Sequence, residues 1–188
     1  MPEDVLDLFR RAGALLEGHF RLSSGLHSDR YLQSALVLQY PREAEALGTA
    51  IAAQARAMAA GVVMSPALGG IVIGQEVGRA LGVRAIFAER QEGKLMLRRG
   101  FTLSASDRVL VVEDVITTGG STREASDVAV EAGADVIGAA AIIDRSTDLT
   151  RLNLPLFALV KMEVPAYQPE SCPLCARNVP ISKPGSRS

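Results

Sequence analysis

Short unbroken apolar runs alternate with longer stretches of helical period along this chain. Residues 62–65, 84–88, 109–112, 136–143 and 157–161 read as strands. The run at 109–112, Val-Leu-Val-Val, has no polar interruption, which predicts a strand buried on both faces. Between these runs, residues 41–60, 71–81 and 124–132 read as helices. The first opens on Pro41, a favoured first-turn residue, and the three are followed by Gly61, Gly82 and Gly133. A further helix is predicted over residues 4–16, with Val5, Leu8, Phe9, Ala12 and Leu15 on one face. Residues 18–33 follow as strand-like pieces around Ser24-Gly25. Strands alternating with helices predict an α/β fold, with a mostly parallel central sheet flanked by helices. Ligands of such sheets bind beyond the carboxyl ends of the strands.

Composition adds bounds rather than detail. At 188 residues the chain is expected to be a single domain, residues 1–188. Within it we distinguish a small N-terminal hood at 1–40, a mobile lid at 89–106 and a Cys-containing tail at 167–188. Hydrophobic content of 48% and charged content of 22% are ordinary for a globular protein that needs no disulfides. A net charge of −1 argues for neither nucleic acid nor an anionic membrane as partner. No apolar run reaches the length of a bilayer span. Glu3, Asp4 and Asp7 are unsuited to a signal peptide, so a cytoplasmic location is expected.

The chemistry concentrates after 109–112. Glu113 and Asp114 come first, then Val115, Ile116, Thr117, Thr118, Gly119, Gly120, Ser121 and Thr122, and then a helix. The glycines let the backbone turn tightly and approach a ligand closely. N–H groups at a helix start carry partial positive charge and suit a phosphate, with hydroxyl donors beside them. Carboxylates would repel that phosphate, but they can accept from a sugar diol or sit near Mg²⁺. A plain glycine turn with a polar cap would not need the paired acids. The pattern is neither a Walker loop nor G-x-G-x-x-G. It points to a sugar phosphate.

Two other constellations stand out. Arg90, Lys94, Arg98 and Arg99 cluster in the predicted lid, which is either a solvated basic hairpin or a cover that grips pyrophosphate and excludes water. Cys172 and Cys175 form C-P-L-C. Two thiolates are half of a closed zinc site, and His19 and His27 are far away in sequence, so zinc would need two chains to pool their cysteines. A plain structural tail and a redox pair are the other readings. His27 is read as a loop or core histidine.

The strand, paired acids and T-T-G-G-S-T loop resemble the phosphoribosyl pyrophosphate (PRPP) motif of type I phosphoribosyltransferases. Residues 20–33, F-R-L-S-S-G-L-H-S-D-R-Y-L-Q, resemble the N-terminal segment of the orotate phosphoribosyltransferases within that superfamily. I-I-D-R-S at 142–146 is similar to their base-binding strand end, and 90–94 to the start of their catalytic loop. The resemblance covers about residues 4–161, and the C-P-L-C ending is similar to a bacterial subgroup. It implies transfer of the phosphoribosyl group from PRPP to orotate, giving orotidine 5′-monophosphate and pyrophosphate, a step of pyrimidine synthesis. Mg²⁺ is the implied cofactor, held mainly by substrate. Glu113 and Asp114 would hold the ribose hydroxyls, and 117–122 the 5′-phosphate, with Val115 and Ile116 also among the PRPP-binding residues. Ala67, Leu68 and Gly69 would form the pyrophosphate turn. Arg90 and Lys94 would act with Asp114 as catalytic groups, from a lid shared in trans within a homodimer. Thr117, Arg145, Tyr31 and Leu32 would bind orotate.

The chain departs from the family pattern where Ser23, Gly69 and Gln91 stand in place of basic residues, and it lacks a lid histidine near Met96. Arg21, His27, Arg98 and Arg99 are the candidates to replace those cations. The alternatives are a PRPP-sensing regulator on the same fold, or a transferase for another nucleobase. The near-neutral charge weighs against the regulator.

Overall fold

The computed structural model describes residues 5–22, 24–146 and 152–184. The chain divides into two compact units. One is built from Glu3–Val37 with Glu163–Ser188, the other from Leu38–Met162. The hood and the tail therefore belong to the same unit. Ser23 lies outside the described residues.

The larger unit holds α3 (Pro41–Ala55), β3 (Val62–Pro66), α4 (Gly70–Leu81), β4 (Arg84–Gln91), β5 (Lys94–Leu97), β6 (Arg108–Ile116), α5 (Gly120–Glu131), β7 (Asp135–Asp144) and β8 (Leu156–Lys161). Its sheet runs β5-β4-β3-β6-β7-β8. All neighbours are parallel except the edge pair β4–β5. The mostly parallel sheet expected from the alternation is present. Strand period explains how it is covered. Val62, Met64, Val109 and Val111 pack in one cluster with Ala125 and Ala129 of α5. The alternate side chains Val63 and Ser65 face α4, where a Cβ on Gly74 would meet Ser65 Oγ at 2.0 Å. Helices thus cover both faces.

Several boundaries differ from the sequence reading. β6 does not stop before the acids but runs on to Ile116. β7 continues to pair with it, Glu113 opposite Ala141 and Ile116 opposite Asp144. α5 begins at Gly120, so the Gly-Ser-Thr run of weak helix formers supplies its first turn rather than a loop. α3 stops at Ala55, and one 3₁₀ turn ends at Ala59 in the left-handed region. The predicted lid starts as a hairpin, with Glu92 and Gly93 at positive φ in its two-residue turn. It is anchored rather than free along its length. Leu95 is buried in the core cluster, and Leu97, Phe101 and Leu103 pack against it.

The smaller unit holds α1 (Val5–Arg11), β1 (Leu15–Arg21), β2 (His27–Leu32) and α6 (Pro173–Ala176). Between the units' sequence segments lies α2 (Ala35–Leu38). The helix predicted over 4–16 ends at Arg11. Gly13 turns the chain at φ 65° and the Ala14 N–H bonds the Phe9 carbonyl. Leu15, which fitted the helical face, instead starts a strand and pairs with Leu32. The tail is tied to the β1–β2 hairpin through its backbone. Tyr167 exchanges both backbone hydrogen bonds with His27, the Ser182 N–H donates to the His19 carbonyl, and the Arg21 N–H donates to the Ser182 carbonyl.

Candidate active site

In a strand, neighbouring side chains leave opposite faces, so extending β6 through the acids separates them. Glu113 turns to the α5 face. It is 9% exposed, and its Oε2 accepts from Thr122 Oγ1 at 2.7 Å. Burial pushes its carboxyl up from 4.5 to about 7, the Thr122 hydrogen bond opposes that rise, and the charge of Asp114 adds to it. Asp114 turns to the other face and lies against the turn before α4. A Cβ on Gly69 would stand 2.8 Å from its Oδ1 and 3.0 Å from its Oδ2. That packing accounts for one departure from the family pattern. A lysine at position 69 would displace the carboxylate.

Two glycines cap the helices that face these acids. Gly69 precedes α4, and Gly119, at φ 71°, precedes α5. Neither supplies a side-chain acceptor, so the first-turn N–H groups are left without a cap from that residue. The Gly120 N–H makes one long bond, 3.4 Å, to Thr118 Oγ1. Thr117 and Thr118 of the loop and Ser121 in the first turn of α5 are exposed, whereas Thr122 is buried on Glu113. The predicted phosphate loop is therefore divided. Its first hydroxyls face solvent and its last fixes a carboxyl. Val115 is half-buried. Ile116 is fully buried and its carbonyl accepts the Arg145 N–H at 2.9 Å. In the other turn, the Ala67–Leu68 peptide is cis, Leu68 is exposed, and the Ala67 N–H is taken by the Ala88 carbonyl.

At the end of β7, Asp144 and Arg145 have different tasks. Asp144 is buried and holds Ser146 through its N–H at 2.8 Å and its hydroxyl. Arg145 is half-buried and makes no side-chain ion pair among the described residues. Burial pushes its pKa down. A half-buried guanidinium without a carboxylate is suited to an anionic ligand. Tyr31 and Leu32 belong to the smaller unit, where the Tyr31 ring lies 5.9 Å from that of Phe20.

Among the lid cations, Arg90 is bound to Glu124 of α5 and to the Gly93 carbonyl. Arg99 forms two bonds to Glu89, at 2.7 and 2.8 Å. Lys94 and Arg98 are exposed. So Arg99 is occupied as a replacement cation, and His27 is drawn into a separate cluster described below. Glu124 and Glu89 were absent from the sequence reading. Acid–base pairs across a sheet edge leave no fixed spacing to find.

One sequence reading needs correction. Zinc at Cys172 and Cys175 does not require a second chain. His19 and His27 lie beside them, because the β1–β2 hairpin pairs the histidine-bearing strands and the tail returns to that hairpin. Distance along the sequence had hidden the missing ligands.

No family model matches the chain. Among solved structures, the orotate phosphoribosyltransferase of Aeropyrum pernix superposes with a TM-score of 0.71 at 24% identity, covering 84% of this chain and 93% of that one. The Mycobacterium tuberculosis H37Rv enzyme of that name gives 0.71 at 22% identity, covering 85% and 97%. The fold, with its strand-end acids and glycine-capped helices, is that of a type I phosphoribosyltransferase. Sequence relatives are nearer. Orotate phosphoribosyltransferase of Chlorobaculum parvum is 54% identical over 185 residues, covering 98% of this chain and 96% of its own. That of Heliobacterium modesticaldum is 52% identical over 188 residues, covering 99% and 98%. The chain belongs to the orotate phosphoribosyltransferase family, a family of pentosyltransferases.

Proposed function

We propose that the protein transfers the 5-phosphoribosyl group of PRPP to orotate, releasing pyrophosphate and forming orotidine 5′-monophosphate for pyrimidine synthesis. The observation that carries this reading is the β6 end. An ionisable carboxylate on one face and a glycine-capped helix start beside it match a sugar phosphate, in a chain about half identical to enzymes of that name. Asp114 would accept from the ribose hydroxyls; Glu113, which the sequence reading paired with it, is enclosed on the opposite face and would instead hold Thr122 at the start of α5. Residues 117–122 would receive the 5′-phosphate through the first turn of α5 and the exposed hydroxyls of Thr117, Thr118 and Ser121. Arg145, together with Thr117, would take the anionic edge of orotate. As the bond from C1 of the ribose to pyrophosphate breaks, the bond from the base nitrogen forms. The protein's work is to orient the two substrates, to stabilise the departing charge and to exclude water.

Mg²⁺ fits this donor set only as an ion held largely by substrate. Asp114 is one carboxylate, Glu113 is half-neutral near pH 7, and the one His/Cys/Asp/Glu cluster among the described residues is the His–Cys group. Mg²⁺ commonly takes one or two carboxylates and completes its shell with phosphate and water. When bound it would neutralise charge on the leaving pyrophosphate. Lys94, which is exposed, would add a cation from the hairpin, in trans within a homodimer, and Arg90 would join it only on leaving Glu124. No helix is long and apolar enough to cross a membrane among the described residues.

A spectrophotometric assay with PRPP, Mg²⁺ and a panel of bases tests the reading, since orotate loses absorbance on coupling. Orotate should be consumed and adenine, hypoxanthine and uracil left unchanged. No consumption of orotate, or faster turnover of a purine, would overturn it.

A further inference from the structure

The smaller unit contains a cluster that the phosphoribosyl chemistry does not use. The chain has two histidines and two cysteines, and all of them meet: the ligand atoms of His19, His27, Cys172 and Cys175 lie within 4.8 Å of one another. His19 Nε2 is 3.0 Å from His27 Nδ1, 3.6 Å from Cys172 Sγ and 3.8 Å from Cys175 Sγ. Cys175 Sγ is 3.3 Å from His27 Nδ1. Both cysteines are free.

We propose that these four side chains form a structural zinc site within a single chain, fastening the tail to the β1–β2 hairpin. Zinc–sulfur bonds of about 2.3 Å and zinc–nitrogen bonds of about 2.0–2.1 Å fix the edges of a tetrahedron. Those edges are about 3.3 Å between nitrogens and about 3.5 Å between nitrogen and sulfur. The nitrogen–sulfur separations of 3.3, 3.6 and 3.8 Å bracket the second value, the 3.0 Å between nitrogens is slightly short of the first, and the ligand atoms all lie within 4.8 Å of one another, so a cation could draw the four into a tetrahedron with small side-chain shifts.

The histidine tautomer supports the same reading. His19 Nδ1 lies 2.8 Å from the Val179 carbonyl, which can only accept, so Nδ1 carries the proton and Nε2 presents its lone pair to the cluster. Metal-bound histidines are oriented in this way by a carbonyl behind the ring. One lone pair cannot answer three polar neighbours, whereas one cation among the four answers all of them.

Burial and local fold agree. His19, His27 and Cys172 are buried, and Cys175 lies at the exposed edge. Pro173 starts the short turn of α6 between the cysteines, and the Asn178 N–H returns to the Cys175 carbonyl. All four positions are filled by protein, which marks a structural rather than a catalytic centre. A unit of about 60 residues gains much from such a clasp, since its own core is small. His27 opens β2, the strand that also carries Tyr31 and Leu32.

Metal analysis of untagged protein, purified without chelator or added zinc, is the first test. One zinc per chain is expected. X-ray absorption at the zinc edge should show two sulfur and two nitrogen neighbours. Half an equivalent, or a four-sulfur shell, would mean that cysteines are pooled between chains and would overturn the proposal. No metal, or a Cys172–Cys175 disulfide in protein never exposed to oxidant, would also overturn it. The double variant Cys172→Ser/Cys175→Ser and, separately, His27→Ala should lose the zinc and unfold at lower temperature. Zinc retained at one equivalent in either variant would refute the ligand assignment. If the variants do not fold, stoichiometry and absorption on the natural protein decide the matter.

Discussion

Replacing Glu113 with Gln should stabilise the fold at neutral and alkaline pH while leaving it unchanged in acid. Gln keeps an oxygen for the Thr122 hydroxyl and removes the buried charge. In the unfolded chain the carboxyl ionises near 4.5, and in the folded chain at about 7, raised first by burial and then by the charge of Asp114. Between those values the folded state holds the extra proton. The stability this group contributes is therefore fully present below 4.5, falls as pH rises, and is gone above about 7. A displacement from 4.5 to about 7, at about 1.4 kcal/mol per pH unit, amounts to about 3 kcal/mol. Little of it is lost to solvent screening, because the side chain is almost wholly enclosed.

The measurement is urea unfolding of natural protein and Glu113→Gln in parallel from pH 4.5 to 8.5, followed by circular dichroism. The difference between the curves isolates this group, since all other titrations are shared. It should be near zero at the acid end, open through the window and level off above about pH 8 at about 3 kcal/mol in favour of Gln. A ¹³C titration of the Glu113 carboxyl by NMR gives the folded value directly. Parallel stability curves, or a midpoint below 5 in the NMR titration, would refute the account of burial at this strand end.

Three further outcomes are expected. Gly69→Ala should raise KM for PRPP by about tenfold with almost no change in Tm, because its Cβ would displace only the mobile end of Asp114; an unchanged KM would remove Asp114 from the PRPP site. Arg145→Ala should raise KM for orotate by at least about tenfold and leave that for PRPP within about twofold, which steady-state kinetics with each substrate varied will check. Mixing inactive Lys94→Ala with inactive Asp114→Ala should restore about a quarter of natural activity if the hairpin of one chain completes the site of the other, and none if it acts on its own site.

The order of strands and helices was legible because a strand covered on both faces must be apolar throughout, and such runs are hard to mistake. The ends were not. Glu113 and Asp114 look like the start of a loop by composition, yet pairing with β7 holds them in the strand. That detail changes the chemistry. As neighbours on a loop the two acids would share one environment. On a strand they face opposite ways, so Glu113 is enclosed and half-neutral near pH 7 while Asp114 stays at the open turn. Leu15 failed for a related reason. A single leucine satisfies a helical face and a strand equally, and only its partner Leu32 decides.

The candidate site followed the same rule. Residues whose role depends on a local run, such as the glycine-capped loop at 119–120, were readable in place. Roles that depend on long-range partners were not: the Arg90 pairing with Glu124 joins residues 34 apart, and the Cys172 contact with His19 joins residues 153 apart. Yet the second was not beyond inference. A closed zinc site needs four nitrogen or sulfur ligands, and this chain has two histidines and two cysteines in all. Both histidines lie in one short stretch that reads as strand pieces about a turn, where antiparallel pairing brings residues eight apart together. With the cysteines already spaced as a metal-binding pair, the inventory closed on one chain; only the path of the tail was missing.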